Sequence, residues 1–450
     1  MNRLLQGDVG CGKTVVALLA ALLVVENGHQ VAFMAPTEIL AEQHLRTVEP
    51  WARALGLRAA LLTAQTPRGS RESILTLLGA GRIDLLIGTH ALLAERVGFD
   101  RLGLVVVDEQ HRFGVAQRAR LRQKGEGAAG LPHLLVMTAT PIPRTLALTI
   151  YGDLDVTTID ELPPGRRPPA TTLHPGKRGR KEALKRLAAE VAAGRQAFVV
   201  CPRIDLGGTD PSPLDGQRPA SRGVAGGGRP DSPPRASRAE DLEEGEEVVA
   251  DAVRTAEELR AALPQANVGL LHGRLPAGER EAAMARFRHG DDAVLVSTTV
   301  IEVGVDIPAA TMMLVFSADR FGVAQLHQLR GRVGRGGGDA ACLLPCEPDA
   351  GEEALARLQV LCDTSAGFRI AEADLALRGP GELVGTRQAG MPRLRFGDLQ
   401  RHGDLLRLAR TEAFALVERD PDLAAPELTT TRVVLEERWD PKALYGAESG

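Results

Sequence analysis

Residues Gly7-Asp8-Val9-Gly10-Cys11-Gly12-Lys13-Thr14 fit the pattern G-x-x-x-x-G-K-[ST]. Glycines at these positions let backbone N–H groups converge on phosphate oxygens, and a helix that starts here adds positive potential. Lys13 supplies a cation for the β- and γ-phosphates, and the Thr14 hydroxyl is a ligand for Mg2+. The second chemical segment is Leu104-Val105-Val106-Val107-Asp108-Glu109-Gln110-His111. An apolar strand there delivers two carboxylates to the carboxyl edge of a sheet, where ligands of α/β folds bind. Asp108 is expected to hold Mg2+, directly or through water, and Glu109 to act as general base toward an attacking water. Alone, these segments read as a Gly-rich turn and a solvated strand end. Together in one chain they predict hydrolysis of a nucleoside triphosphate.

Such loops need strands to hold them. Arg3–Gln6, Gln30–Ala35, Leu85–Gly88, Leu104–Asp108 and Leu134–Met137 are short apolar runs flanked by turn residues, which predicts buried strands. Thr14–Glu26 and Thr37–Leu55 between them have helical spacing. Strand, helix, strand in that rhythm predicts a parallel sheet covered on both faces. The rhythm returns with strands at Ala197–Cys201, Val268–Leu271, Ala293–Ser297 and Thr311–Phe316, and helices near Lys181–Ala193, Val248–Leu263 and Ala277–His289. The expected fold class is therefore α/β, with tandem domains over residues 1–157 and 158–346 and a helical segment over 347–450. The Pro-rich Asp160–Pro169 reads as an exposed linker. Gly207–Glu240, rich in Gly and Pro and without an aromatic residue, is expected to be a disordered insertion in a surface loop.

Composition narrows the classes. A chain of 450 residues suggests roughly three domains. Its 54 Lys and Arg against 58 Asp and Glu leave a net charge of −4, which argues against a polybasic surface but leaves room for a local basic groove. The five cysteines are an odd count with no paired metal-ligand spacing, which argues against a disulfide scaffold and a structural zinc and for a reducing compartment. Val15–Val25 is too short to span a bilayer, so no membrane partner is expected. Aromatic residues at 3% disfavour a surface built on stacked bases.

A family resemblance joins these pieces. Ala35-Pro36-Thr37-Glu38, Gly88-Thr89-His90, Asp108–His111, Thr138-Ala139-Thr140-Pro141, His272-Gly273, Ser297–Asp306 and Gln328–Arg335 resemble, in order and spacing, the motifs of superfamily 2 helicases. Asp108–Gly114, Thr138–Asp155 and Gly367–Gly390 are similar to the wording of the RecG family of bacterial ATP-dependent DNA helicases. The third segment is shared with the transcription-repair coupling factor, whose motor module is the alternative reading. A nucleic-acid-binding fragment with an inactive ATPase is the alternative from another class. The resemblance implies two RecA-like domains followed by a helical hairpin and translocation motif, with ATP between the domains. Lys13, Thr14, Asp108 and Glu109 would form one wall, and Arg332 and Arg335 would reach across, Arg335 as the arginine finger. Glu302, Gly304 and Asp306 would join the nucleotide cleft to the DNA groove. Thr37, Thr89, His90, His111, Thr138, Thr140, Arg144, His272, Ser297, Thr298, Thr299 and Gln328 would contact or couple to DNA. Arg378, Arg387 and Gln388 would transmit motion to the duplex. It also implies branched double-stranded DNA as partner, a single-strand-binding protein as a second one, a monomer, and a cytoplasmic, nucleoid-associated setting.

Two departures bear on that expectation. Met1 falls just before the first strand, whereas the family carries a long N-terminal region with a DNA-splitting wedge. The chain is therefore expected to be N-terminally truncated and a poor unwinder of forks. Cys11 stands where the family commonly has a small residue such as Ser, so it reads either as an inert filler or as a thiol whose thiolate is favoured by the helix N-terminus.

Overall fold

The computed structural model describes residues 1–109, 131–139, 154–163, 167–202, 251–298, 307, 309–336, 338–378 and 402–438. The predicted Gly207–Glu240 insertion lies outside them.

Strand β1 (Asn2–Gly7) leads through a tight loop into helix α1 (Lys13–Glu26), and the same alternation continues through β2 (Gln30–Met34), α2 (Glu38–Ala54), β3 (Ala59–Leu62), α3 (Arg68–Gly79) and β4 (Leu85–Gly88). β5 (Leu102–Val107), β6 (His133–Thr138) and β7 (Asp155–Ile159) complete a seven-stranded sheet, order β3-β4-β2-β5-β6-β1-β7. Every pairing in it is parallel. Its central strands are largely apolar because both faces are buried. Leu104 and Val106 of β5 pack with Ala17 of α1 and Ala41 of α2, whereas Val105 and Val107 pack with Leu78 and Leu92 on the other face.

The second sheet repeats the plan. β8 (Ala170–Pro175), α4 (Gly176–Ala192), β9 (Gln196–Val200), a helix α5 over residues 251–262, β10 (Val268–Leu271), α6 (Ala277–His289), β11 (Val294–Ser297), β12 (Ala310–Val315), α7 (Val323–Arg330) and β13 (Ala341–Cys346) follow in order. The sheet runs β10-β11-β9-β12-β13-β8, again wholly parallel. Helices α8 (Glu352–Asp363) and α9 (Gly367–Arg378) come next, then α10 (Gly403–Arg419) and α11 (Thr429–Arg438). The division expected at 346/347 does not separate two cores: Leu358 and Leu361 of α8 and Ile370 of α9 lie in the same apolar cluster as Phe198, Met313 and Leu344. Helix α10 instead reaches the first sheet, with Arg410 donating to Leu154 O at 3.2 Å and lying 3.7 Å from Asp155. Among the described residues no helix is long and apolar enough to cross a membrane.

Each domain is pinned by a buried glutamine at the first residue of a central strand. Gln30 Nε2 donates to Leu78 O (3.0 Å) and Ile83 O (2.7 Å), while its Oε1 accepts from Asp100 N (2.7 Å) and Arg101 N (3.1 Å). Gln196 Nε2 likewise donates to Phe287 O (2.5 Å) and Asp292 O (2.9 Å). Truncating Gln30 removes the partner of Ile83 O and of the Asp100 and Arg101 N–H groups at once, while Leu78 O keeps the Gly81 amide. Gln30→Ala is expected to destabilise the first domain by at least about 1–3 kcal/mol, read as a lower denaturant midpoint for that domain's transition.

Candidate nucleotide site between the two domains

The loop from Asp8 to Gly12 owes its shape to glycine. Gly10 and Gly12 have φ of 77° and 101°, in the left-handed region that a side chain adopts only with strain. A Cβ on Gly7 would lie 2.6 Å from both Cys11 Sγ and Ile159 O, so Cys11 fills the space above Gly7. Cys11 and Val9 are buried, 8% and 7% exposed, and Thr14 is half-buried at the start of α1. Lys13 Nζ donates to Gly7 O at 2.7 Å and Asp8 O at 2.9 Å, so the ammonium is held inside the loop.

Beside it stand the two carboxylates. Asp108 follows β5, and its amide bonds Met34 O at 2.9 Å. Its Oδ2 lies 2.8 Å from His44 Nε2 on α2, and its Oδ1 accepts from the Glu109 amide at 3.0 Å. Burial works to raise the Asp108 carboxyl, but the hydrogen bond and charge of His44, the charge of Lys13 and the Glu109 amide outweigh it and hold the group below the ordinary carboxylate range. Glu109 goes the other way. Burial and the neighbouring Asp108 charge raise it, against the smaller opposing charges of Arg332 and Lys13. Its backbone takes φ 50°, a left-handed conformation costing about 1–2 kcal/mol in a residue with a side chain. The Ala139 amide, at the end of β6, reaches its Oε2 at 3.5 Å. Two adjacent carboxylates are thus driven apart in pKa, the arrangement that assigns one to electrostatic work and the other to proton transfer.

The second domain closes against this wall. Gly331, after α7, presses on the loop so tightly that a Cβ there would meet Val9 Cβ at 2.8 Å. Arg332 is 6% exposed, and its charge acts on Glu109. Arg335 is half-buried and donates from Nε to Gly331 O at 3.3 Å. His327 and Arg330 of α7, which the sequence reading did not single out, are linked to the phosphate loop through the Asp8 carboxylate, whose Oδ1 lies 3.1 Å from His327 Nε2. His44 was missed because it falls in step with Ala41 and Val48 on α2, where a histidine reads as a core residue. The usable signal was that α2 follows β2, the sheet neighbour of β5.

Several of the expected DNA-contacting residues stand at or just after strand carboxyl ends. Thr37 caps α2 and accepts from Leu40 N at 3.4 Å. Thr89, 7% exposed, follows β4, and His90 begins the next short turn, its imidazole pushed down by burial. Thr138 ends β6. In the second sheet His272 follows β10 and Ser297 and Thr298 stand at the end of β11, with Ser297 Oγ donating to Thr298 O at 2.8 Å. His272 Nδ1 is buried and has no hydrogen-bond partner among the described residues. Gln328 is buried on α7, and Arg378 is the last residue of α9. His111, Thr140, Arg144, Thr299, Glu302, Gly304, Asp306, Arg387 and Gln388 lie outside the described residues.

Thr14 and Asp108 offer one hydroxyl and one carboxylate kept ionised. That donor set fits Mg2+, which takes few protein ligands and completes its shell with phosphate oxygens and water. No group of three or more His, Cys, Asp or Glu side chains forms a separate metal cluster among the described residues.

Fold and site define two tandem α/β domains with the phosphate loop, carboxylate pair and arginines of the helicase class. Residues 1–149 match the DEAD/DEAH box helicase model and residues 245–337 the helicase conserved C-terminal domain. Residues 364–438 match the C-terminal part of domain 3 of the ATP-dependent DNA helicase RecG. A curated relative, the ATP-dependent DNA helicase RecG of Synechocystis, is 45% identical over 450 residues, covering 100% of this chain and 48% of that protein. The RecG of Escherichia coli K12 is 44% identical over 444 residues, 98% of this chain and 57% of its own length. A solved structure of RecG bound to a three-way DNA junction superposes with a TM-score of 0.66 at 43% identity, over 90% of this chain and 47% of that one. Saccharomyces cerevisiae Dbp5 bound to RNA and ADP BeF3, at 16% identity, TM-score 0.51, and coverage of 91% and 89%, shares the fold. The chain spans about half the length of the curated relatives it matches. Over that span it belongs to the RecG family.

Proposed function

We propose that this chain is the motor of an ATP-dependent DNA helicase that translocates on duplex DNA and remodels branched molecules, such as stalled forks and Holliday junctions, in recombination and repair. The observation that carries this reading is the divided site: Glu109 follows β5 of the first domain, while Arg332, whose charge acts on it, follows α7 of the second. Hydrolysis then requires the two domains to close, and closure is what a motor converts into a step. The RecG relatives are ATP-dependent DNA helicases, and the RecG structure is bound to a three-way DNA junction, which supports branched DNA as the substrate.

The loop amides and the α1 N-terminus bind the phosphates, and Lys13 exchanges its bonds to Gly7 O and Asp8 O for phosphate oxygens. Thr14 and Asp108 are the residues to hold Mg2+, which when bound neutralises charge on the β- and γ-phosphates. Glu109, its pKa raised, takes the proton of the attacking water as the water oxygen bonds the γ-phosphorus and the bond to the ADP oxygen breaks. Arg332 steadies the charge that develops on the phosphoryl group. Thr37, Thr89, His272, Ser297 and Thr298 supply small donors along one edge of each sheet, suited to phosphate contacts that carry no sequence information.

The test is ATP hydrolysis by the 450-residue chain with no DNA, with single strands and with a branched duplex, alongside Lys13→Ala. Stimulation by branched DNA that disappears in the variant is expected. Hydrolysis indifferent to DNA overturns the reading.

A further inference from the structure

Asp8 occupies the phosphate loop, yet both oxygens of its carboxylate are taken by groups more than three hundred residues away in the chain. Oδ1 pairs with His327 Nε2 at 3.1 Å, and Oδ2 accepts from the Gly367 amide at 3.3 Å. His327 in turn meets Arg330 Nη2 through Nδ1 at 2.8 Å. A guanidinium has donors only, so Nδ1 accepts and the ring proton sits on Nε2, facing Asp8. Arg330, 4% exposed, sends further N–H groups to Leu361 O (2.8 Å), Thr364 O (3.1 Å) and Ser365 O (3.2 Å), where α8 ends and the chain turns into α9. Gly367 is the first residue of α9, so the path closes into a ring: phosphate loop, α7, the turn before α9, and back to Asp8. His327 is 5% exposed, and hydrogen bonds in so dry a setting act as a unit. Burial works to raise the Asp8 carboxyl, but the hydrogen bond from His327, the Gly367 amide and the charge of Lys13 hold it low, so it is an anion in this ring.

The backbone of the same residue faces the nucleotide machinery. Asp8 O accepts from Lys13 Nζ at 2.9 Å, a bond that a phosphate oxygen must displace. One residue therefore loses its hold on Lys13 through its carbonyl while gripping α7 and α9 through its carboxylate.

We infer that Asp8 is a positioning residue that passes displacement of the phosphate loop directly to α9, with His327 and Arg330 as the stiff link. This rests on the nucleotide-site reading above and adds a route from that site to the C-terminal helices that bypasses the DNA groove. The ring has two ends that can be cut without touching the loop. His327→Ala removes the donor to Oδ1. Gly367→Pro removes the N–H to Oδ2 at the first helical position, where proline is well tolerated. His327→Gln keeps an N–H at nearly the place of Nε2.

The experiment is amide hydrogen exchange over residues 364–370 of the 450-residue chain, with and without a non-hydrolysable ATP analogue, beside a direct measurement of analogue binding. Nucleotide is expected to change exchange there in the parent. His327→Ala and Gly367→Pro should cut that response about five-fold or more while analogue affinity stays within about threefold. His327→Gln should keep at least about half of it. Unaltered exchange in β9 and β12 certifies the fold of each variant. An undiminished response in both His327→Ala and Gly367→Pro overturns the inference, as does a loss in His327→Gln equal to that in His327→Ala. A parent that binds the analogue with no response at α9 overturns it alone. A parent that binds no analogue overturns the nucleotide reading and this inference together.

Discussion

Glu109→Gln is expected to lower kcat for ATP hydrolysis by about a hundred- to ten-thousand-fold, the usual worth of a general base, while nucleotide still binds. The physical reason lies in how the carboxyl is held. Burial and Asp108 raise its pKa, so at neutral pH it is a better proton acceptor than an ordinary glutamate, and it stands beside the loop that binds phosphate. The same environment makes the charge costly to keep. A group whose folded pKa is raised destabilises the fold at pH values above that pKa, and the penalty fades as pH falls through it. Gln removes the charge at little change in shape, so the variant should melt higher than the parent at neutral to basic pH, with the gap narrowing in acid. In the parent, the acidic limb of the pH–kcat profile should sit above the usual glutamate range, because the base works only when deprotonated. Asp108, held low, stays ionised across that limb. A variant that turns over within about tenfold of the parent, or a limb at the ordinary glutamate position, removes Glu109 from the role.

Most of the sheet scaffold was legible because strands buried on both faces are written as unbroken apolar runs. Leu104–Val107 and Leu134–Met137 announce themselves in this way. The strands that sequence reasoning passed over lie toward the sheet flanks or carry mixed chemistry. β7 (DVTTI) and β8 (ATTLHP) are edge strands, only partly buried, with threonines where the central strands have valines. β13 contains Pro345, which argues against a strand, yet its pairing with β12 ends at Leu343 and leaves the proline beyond it. Helix α4 begins five residues before the expected Lys181 because Gly176 and Gly179 look like a turn. Gly179 is in fact pressed against the His174 backbone, where a Cβ would approach to 2.4 Å. At the site, the residues of the phosphate loop and the carboxylate pair were legible from local spacing. His44, His327 and Arg330 were not, because their meaning comes from contacts 64 and 319 residues away and from a turn after α8 that no local pattern marks.

Arg332→Ala should be the most damaging single change outside the phosphate loop, with kcat reduced about a thousand- to a hundred-thousand-fold, the span seen when a charge-stabilising arginine is lost. The family pattern singles out Arg335, but position favours Arg332. It follows Gly331, which approaches Val9 too closely to leave room for a Cβ, and its charge acts on Glu109 across the cleft. Arg335 instead folds back to bond Gly331 O. Arg332→Lys should fail to restore turnover, because an ammonium lacks the planar fork that follows charge as it spreads over the phosphoryl oxygens. A second consequence separates this role from a packing defect. Arg332 lowers the pKa of Glu109, so removing it lets burial and Asp108 push that carboxyl higher still. The residual activity of Arg332→Ala should therefore rise with pH along a limb displaced further toward neutrality than the parent's, while Arg335→Ala leaves the limb in place. If the order is reversed, with Arg335→Ala costing more turnover and moving the limb, the finger is Arg335 and the charge of Arg332 on Glu109 is incidental to the chemistry.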